Sequence, residues 1–364
     1  IDLSTAIHGQ VNNGADDLNG IEANLKLWLD AKNINAIENA GIANNDTITR
    51  WLDLSGSGHV VQQNNETNKA KYTIASNSLI FDGVNDYYFH TTNETLANTT
   101  MIVVTKLGNL DLSSSTNSGA AAISIQESGA DNFDAIVYNE HSSAQRKFMH
   151  GSTGHTRLHV ATNQVTTTSP FIVVDQMKTG AFKQFINGTL SSQENHSITN
   201  KPNAQLIIGN RYIGSNDIPV SNGYWDGEIS EVLVFNKTLT DDERIKINYY
   251  LSKKWGLNSI IDSDNDSIVD SNDCAPLDST KHTQVSGYLD NDGDNFADTL
   301  TSVIHCTTGA LPTGFTSSNK LDANPSDANI NEQPTTVDFS TTALGTNDDS
   351  IDNAIKLWLK SDAV

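Results

Sequence analysis

The chain has 364 residues, 44 of them acidic and 22 basic, and carries a formal net charge of −22. That balance argues against nucleic acid and anionic membrane surfaces as partners. Apolar residues make up 37% of the chain, and no apolar run approaches the ~20 residues of a membrane helix, which argues against membrane insertion.

Residues 1–21 form a polar lead-in rich in Asn, Asp and Gly. Leu25, Leu27 and Leu29 then alternate with Lys26, Trp28 and Asp30, which is a strand period. Trp51-Leu52-Asp53-Leu54 runs into the turn Ser55-Gly56-Ser57-Gly58, and Leu79-Ile80-Phe81 is joined to Tyr87-Tyr88-Phe89 through Asp82-Gly83-Val84-Asn85-Asp86. Strands are predicted at Met101–Thr105, Ala122–Ile125, Phe133–Tyr138, Arg157–Ala161, Phe171–Asp175, Leu206–Gly209 and Glu228–Phe235. Phe182–Ile186 and Thr189–Ser192 flank Asn187-Gly188, the strongest hairpin signal in the chain. One helix follows. Thr240 and Glu243 make a capping box, Ile247, Leu251 and Trp255 form an apolar stripe, and Gly256 supplies the stop. Many short strands separated by turns predict an all-β sandwich or jelly roll, closed by this C-terminal helix.

The next stretch has a different logic. Asp262-Ser263-Asp264-Asn265-Asp266-Ser267-Ile268-Val269-Asp270 is echoed by Asp290-Asn291-Asp292-Gly293-Asp294-Asn295-Phe296-Ala297-Asp298. Carboxylates fall at loop positions one, three, five and nine of both copies, and Asp273 adds position twelve of the first. Alternating Asp side chains on a tight loop can surround one hard cation, with the carbonyls of Ile268 and Phe296 at position seven adding to the oxygen count that Ca²⁺ requires. The competing reading is an acidic disordered linker. Cys274 and Cys306 flank the second loop and are expected to pair, with two free thiols as the alternative. Beyond the loops the opening of the chain starts again. Asp2-Leu3-Ser4-Thr5 returns as Asp338-Phe339-Ser340-Thr341, and Leu25-Lys26-Leu27-Trp28-Leu29 as Ile355-Lys356-Leu357-Trp358-Leu359. The chain is therefore expected to be a piece of a longer tandem array, with neighbouring repeats among its partners.

Residues 22–258 resemble a laminin-G-like, concanavalin A-type jelly roll. The resemblance is carried by Leu27-Trp28-Leu29-Asp30-Ala31, Trp51 to Gly58, Phe81 to Tyr87, Asp226 to Phe235, and Tyr250-Leu251-Ser252-Lys253-Lys254-Trp255-Gly256-Leu257. Residues 259–334 resemble thrombospondin type 3 calcium repeats, with Ser267 where the first loop normally has Gly. A third loop, Asp322 to Asp327, is a degenerate version to which no metal is assigned. Residues 335–364 begin the next repeat. Large repetitive bacterial surface proteins combine such parts, so the resemblance implies a secreted or cell-surface location.

The jelly roll also hosts lectins, glucanases and lyases, so the fold does not decide the chemistry. A hydrolase needs two carboxylates on one face, roughly 5–9 Å apart. Glu228 and Glu231, three apart, face opposite sides of a regular strand. His150, His155 and His159 cluster in sequence without a third element that completes a zinc or lyase site. A glycan-binding rim could use Tyr87, Tyr224 and Trp225, with Asp82 and Asp86 holding a rim cation, against core packing and turn stabilisation as the plainer roles. The expectation is a non-enzymatic, calcium-stabilised repeat module of an adhesin or fibre whose jelly roll meets glycans or cell surfaces. The alternatives are a carbohydrate-binding module of a polysaccharide-degrading enzyme and, behind that, a glucanase- or lyase-type enzyme.

Overall fold

The computed structural model describes residues 21–110, 119–140, 145–152, 161, 163–195, 199–211 and 223–330. The lead-in before Ile21, residues 157–160 of one expected strand, His155, His159 and the restarted repeat at 335–364 lie outside the described residues. The strands in chain order are β1 (Leu25–Asp30), β2 (Arg50–Leu52), β3 (Val60–Gln62), β4 (Lys71–Thr73), β5 (Ser78–Asp82), β6 (Tyr88–Thr91), β7 (Thr100–Leu107), β8 (Ala120–Glu127) and β9 (Phe133–Tyr138). They continue with β10 (Phe148–Ser152), β11 (Phe171–Lys178), β12 (Ala181–Ile186), β13 (Thr189–Glu194), β14 (Ala204–Ile208), β15 (Asp226–Phe235), β16 (Thr283–Leu289), β17 (Ser302–Thr307) and β18 (Phe315–Thr316). Helix α1 (Asp241–Lys254) follows β15.

Two antiparallel sheets form a jelly-roll sandwich. One runs β13-β12-β11-β7-β15-β5-β4, and the other β10-β9-β8-β14-β6-β3-β2. The ten-residue β15 lies along β7 on one edge and shares its other edge between β5 and β1. Short strands such as β2, β3 and β4 have three residues each, too few to show a period in the sequence. Inward residues of both sheets, among them Leu27, Trp51, Phe81, Val103, Ile125, Val173 and Trp225, make one continuous core.

A second apolar layer explains why the central strands read as unbroken apolar runs. On β7, Met101 and Val103 join the inner core while Ile102 and Val104 face a cluster with Ile172, Val174, Leu233, Ile247 and Leu251. Helix α1 covers that outer face. Its capping box is formed as expected, with Thr240 Oγ1 accepting from Glu243 N–H and Glu243 reaching back to Thr240 N–H. The helix is pinned by a buried charge. Glu231 accepts from the indoles of Trp28 and Trp255 and from Lys254, which also bonds Asp30 at 2.8 Å. The Leu-Trp-Leu-Asp and Lys-Lys-Trp-Gly signatures thus belong to one network.

The chain divides into two compact units. Of the described residues, the first holds those up to Gln284 together with Cys306–Gly309, and the second Val285–His305 with those from Ala310 onward. The first Asp loop therefore belongs to the unit that holds the sandwich, although a boundary at residue 258 was expected. Its seat is tight. Ile261 is fully buried in the layer under α1, and Asp262 N–H donates to Asn187 O at 3.2 Å. A Cβ on Gly188 would stand 1.5 Å from Asp262 O, so only glycine fits that turn. Arg244 Nη1 donates to Gly188 O and Ser263 O, at 3.4 and 3.5 Å. The hairpin signal Asn187-Gly188 thus forms a turn and also the platform for the loop.

In the second unit β16 pairs with β18, Tyr288 opposite Thr316 and Leu289 opposite Phe315. Among its described residues Ala297 is the one fully buried apolar side chain, while Leu300, Val303 and Ile304 are exposed. So small an apolar interior cannot offset the chain entropy of folding.

Candidate functional site

The two Asp loops are built alike, atom for atom at most positions. Each turns through left-handed residues at positions four and six: Asn265 (φ +66°) and Ser267 (φ +82°), then Gly293 (φ +81°) and Asn295 (φ +70°). Position one ties the turn. Asp262 accepts from the N–H groups of Asn265 (2.7 Å) and Ser267 (2.8 Å), and Asp290 from those of Gly293 (2.7 Å) and Asn295 (3.1 Å). At position five, one oxygen accepts the N–H of position seven, Asp266 from Ile268 and Asp294 from Phe296, both at 2.8 Å. Within each loop, carboxylate oxygens from positions one, three and five lie within 4.8 Å of one another.

The oxygens left over are the telling feature. Both oxygens of Asp264 and of Asp292, at position three, are buried and have no hydrogen-bond partner among the described residues. The same holds for Oδ2 of Asp266, Asp273, Asp294 and Asp298. A buried, unpaired carboxylate oxygen is costly unless a cation or proton meets it. The electrostatics agree. Burial, then the Asp266, Asp273 and Asp262 carboxylates, push Asp264 up to about 7. Asp292 is raised by burial and by Asp294, Asp322 and Asp290.

Asp270 differs from its counterpart. Its oxygens accept from Ser263 N–H (2.8 Å), Ser263 Oγ (2.9 Å) and the Ser252 hydroxyl. It braces the first loop against α1, and of the nine Asp residues read as ligands it is the one bonded to that helix. Cys274 and Cys306 form a disulfide, with Cα atoms 5.7 Å apart, as expected. Their sulfurs, though close to Asp273, are therefore not thiolate ligands. The donor set of each loop is oxygen alone, and it fits a hard divalent cation.

The rim candidates separate. Trp225 is fully buried in the inner core and cannot stack on a ligand, a correction of the sequence reading. Tyr224 and Tyr87 are half-buried neighbours with ring centroids 6.3 Å apart, and Tyr87 stacks on Phe89 at 6.2 Å. Phe89 was missed because a Tyr-Tyr-Phe run does not reveal which ring faces outward. Asp82 caps its own turn, accepting from Val84 (2.8 Å) and Asn85 (3.2 Å), and Asp86 accepts from Asp82 N–H at 3.0 Å. Burial and Asp82 push Asp86 up to about 6.

A bulge changes the reading of the glutamates. Along β15 the register passes from Ile229 opposite Thr105 to Glu231 opposite Val104, leaving Ser230 over. Glu228 and Glu231 therefore share a face, contrary to the regular-strand expectation. Each is committed, however: Glu228 to Ser78 (2.7 Å) and Lys106 (3.0 Å), Glu231 to the network under α1. His150 is fully buried and lies between Asp175 (3.0 Å) on the opposite sheet and Asp134 (3.3 Å) beside it. Lys201 bonds Asp134, and Gln184 donates to Asp175 at 2.9 Å. The inward Asp of Phe-Asp-Ala-Ile-Val-Tyr, at 133–138, was the available signal for this network.

No protein-family model matches the chain, and no curated protein matches it. Solved structures do. Trypanosoma rangeli sialidase in complex with sialic acid aligns with a TM-score of 0.43 at 13% identity, covering 64% of this chain and 33% of that one. A heptameric SAP-like pentraxin from Limulus polyphemus aligns at 0.37 and 13%, covering 45% and 77%. Domain 4 of the extracellular arabinanase AbnA from Geobacillus stearothermophilus, in complex with arabinotriose, aligns at 0.36 and 13%, covering 59% and 94%. The chain thus spans about a third of the length of the sialidase it matches. At these scores the fold rests on the strand order and core described above.

Proposed function

We propose that the chain is a calcium-stabilised repeat module of a secreted or cell-surface protein of the adhesin or fibre type. The observation that carries this reading is the set of buried carboxylate oxygens without partners, repeated at the same positions of two loops. Asp262, Asp264, Asp266, Asp273 and the Ile268 carbonyl would hold one ion. Asp290, Asp292, Asp294, Asp298 and the Phe296 carbonyl would hold the other. Ca²⁺ accepts six to eight oxygens in irregular arrangements, whereas Mg²⁺ keeps a strict octahedron and much of its water, so the crowded Asp loops favour Ca²⁺. The Cys274–Cys306 disulfide favours an oxidising, extracellular compartment. The repeated opening motif supports a tandem array in which neighbouring repeats are the first partners. Among the described residues no helix is long and apolar enough to cross a membrane. The reading is non-enzymatic, and the bonds that tie Glu228, Glu231 and His150 to neighbouring strands and α1 support it.

Calorimetric titration of the calcium-free chain tests it. Uptake of two calcium ions is expected, with Asp264→Asn and Asp292→Asn each removing one. A chain that takes up none would sink the calcium reading.

A second reading is a carbohydrate-binding module, in which the jelly roll grips glycan. Its support is the half-exposed trio Tyr87, Phe89 and Tyr224, since sugar rings stack on such surfaces.

A further inference from the structure

The second Asp loop lacks one element of the first. In the first loop position twelve is Asp273, whose Oδ2 is buried without a hydrogen-bond partner among the described residues. Position twelve of the second loop is Thr301, an exposed residue with no carboxylate. A site built from the second loop alone therefore has one acidic group fewer.

The fold supplies a replacement from the third acidic loop. Ala297 N–H donates to Lys320 O at 2.7 Å, and Asp322 N–H donates to Ala297 O at 2.8 Å. These bonds form a parallel bridge between Ala297 and Leu321, which lays the third loop against the second within the same unit. Lys320 adds a contact at the junction, its ammonium 5.5 Å from the centroid of the Phe296 ring.

Asp322 itself is only 5% exposed. Its Oδ1 accepts the N–H of Asn324 at 2.8 Å, the same turn-closing bond that Asp273 makes with Ala275 at 2.7 Å. Its Oδ2 is buried and has no hydrogen-bond partner among the described residues, again like Asp273. The parallel extends to the backbone: Asp273 N–H donates to the carbonyl of Val269, position eight of the first loop, at 3.1 Å, and Asp322 N–H donates to that of Ala297, position eight of the second, at 2.8 Å. Asp327, at the other end of the third loop, spends its Oδ1 on Asn329.

We propose that Asp322 is a ligand of the cation at the second Asp loop, supplying from outside that loop the carboxylate that the first carries at its own position twelve. The inference rests on the calcium reading above. It makes the third loop, degenerate as an independent site, a part of the second one. It also ties residues 320–322 to 290–298 through the ion, in a unit with almost no apolar core.

The test is calcium titration of the whole chain, wild type against Asp322→Asn, with Asp327→Asn as the control. Asp322→Asn keeps the size of the side chain and the Oδ1 acceptor. It should weaken one of the two calcium sites about tenfold or more, because affinity follows the number of charged ligands, and leave the other unchanged. Asp327→Asn should alter neither. Two sites of unchanged affinity in Asp322→Asn would overturn the proposal while leaving the calcium reading intact. A wild-type chain that takes up no calcium would overturn both. A measurement without substitution guards against a misfolded variant: carbon-13 resonances of the wild-type Asp side chains. The Asp322 Cγ signal should move between calcium-free and calcium-saturated chain along with that of Asp292. An Asp322 signal that stays in place while that of Asp292 moves would count against the assignment.

Discussion

At the scale of single residues, two positions carry more than their type suggests. Ser267 sits at φ +82°, where the second loop uses Asn295. A left-handed conformation costs a residue with a Cβ about 1–2 kcal/mol, partly offset by the entropy that glycine loses on folding. Ser267→Gly should therefore stabilise the calcium-saturated chain by about 0.5–1 kcal/mol. Urea unfolding checks this, and an unchanged or lower midpoint would contradict it. His150 is the other. Burial alone would lower its basicity, but the carboxylates of Asp134 and Asp175 outweigh burial and push it up to about 9 from an ordinary 6.5. Burial raises Asp175 as well. His150 thus binds its proton more tightly in the folded chain, so its contribution is complete below about 6.5 and is lost as the pH rises through about 9, whereas that of Asp175 is complete only below the ordinary carboxylate range. Unfolding midpoints measured from pH 6 to pH 10 should fall across that window, and His150→Gln should flatten the slope. A slope unchanged by His150→Gln would remove His150 as its source.

Among the elements, the two Asp loops look interchangeable in sequence and are not in their support. The first is bonded to the β12–β13 turn, to Arg244 and to Ser252, and Ile261 beside it is buried in an apolar layer. The second has Ala297 as its sole fully buried apolar side chain, so mutual repulsion of its carboxylates meets little opposing packing. On the proposed calcium reading, removing the ion should therefore have unequal effects. With EDTA, limited proteolysis should cut within 285–330 first, while 259–284 resists and the sandwich stays intact. Early cleavage at 259–284 would show that the packing around Ile261 does not hold the first loop without the ion. The disulfide closes a 32-residue separation at the base of this region, and by chain entropy contributes about 3–4 kcal/mol.

For the whole molecule, the question is what the sandwich presents to its surroundings. If it grips glycan, Tyr87→Ala and Tyr224→Ala should lower binding on a glycan array without loss of fold. Trp225→Ala should instead destabilise the sandwich by about 3–5 kcal/mol, since it empties a fully buried core position. A clean array with folded wild-type chain would leave the sandwich as a spacer between repeats. Incubation with β-glucan, alginate or agar should give no cleavage. Turnover abolished by Glu228→Gln would reverse the non-enzymatic reading.

The sequence by itself determined the all-β class, the hairpin at Asn187-Gly188, the capped helix and the two acidic loops. These are written in local spacing: a period of two, a capping box, an Asn-Gly pair, carboxylates at alternate positions. It also brought Cys274 and Cys306 into view as a pair. What it left open depends on contacts between distant segments. The bulge at Ser230 puts Glu228 and Glu231 on one face because β7 fixes the register, and no period in β15 announces it. Trp225 is core rather than rim because the opposite sheet covers it. Asp270 braces the first loop because α1 brings Ser252 to it. Asp322 comes to the second loop because a parallel bridge 24 residues along the chain from Ala297 lays it there. In each case the residue type set what the side chain could do, and the tertiary structure decided it by choosing the atoms that meet it.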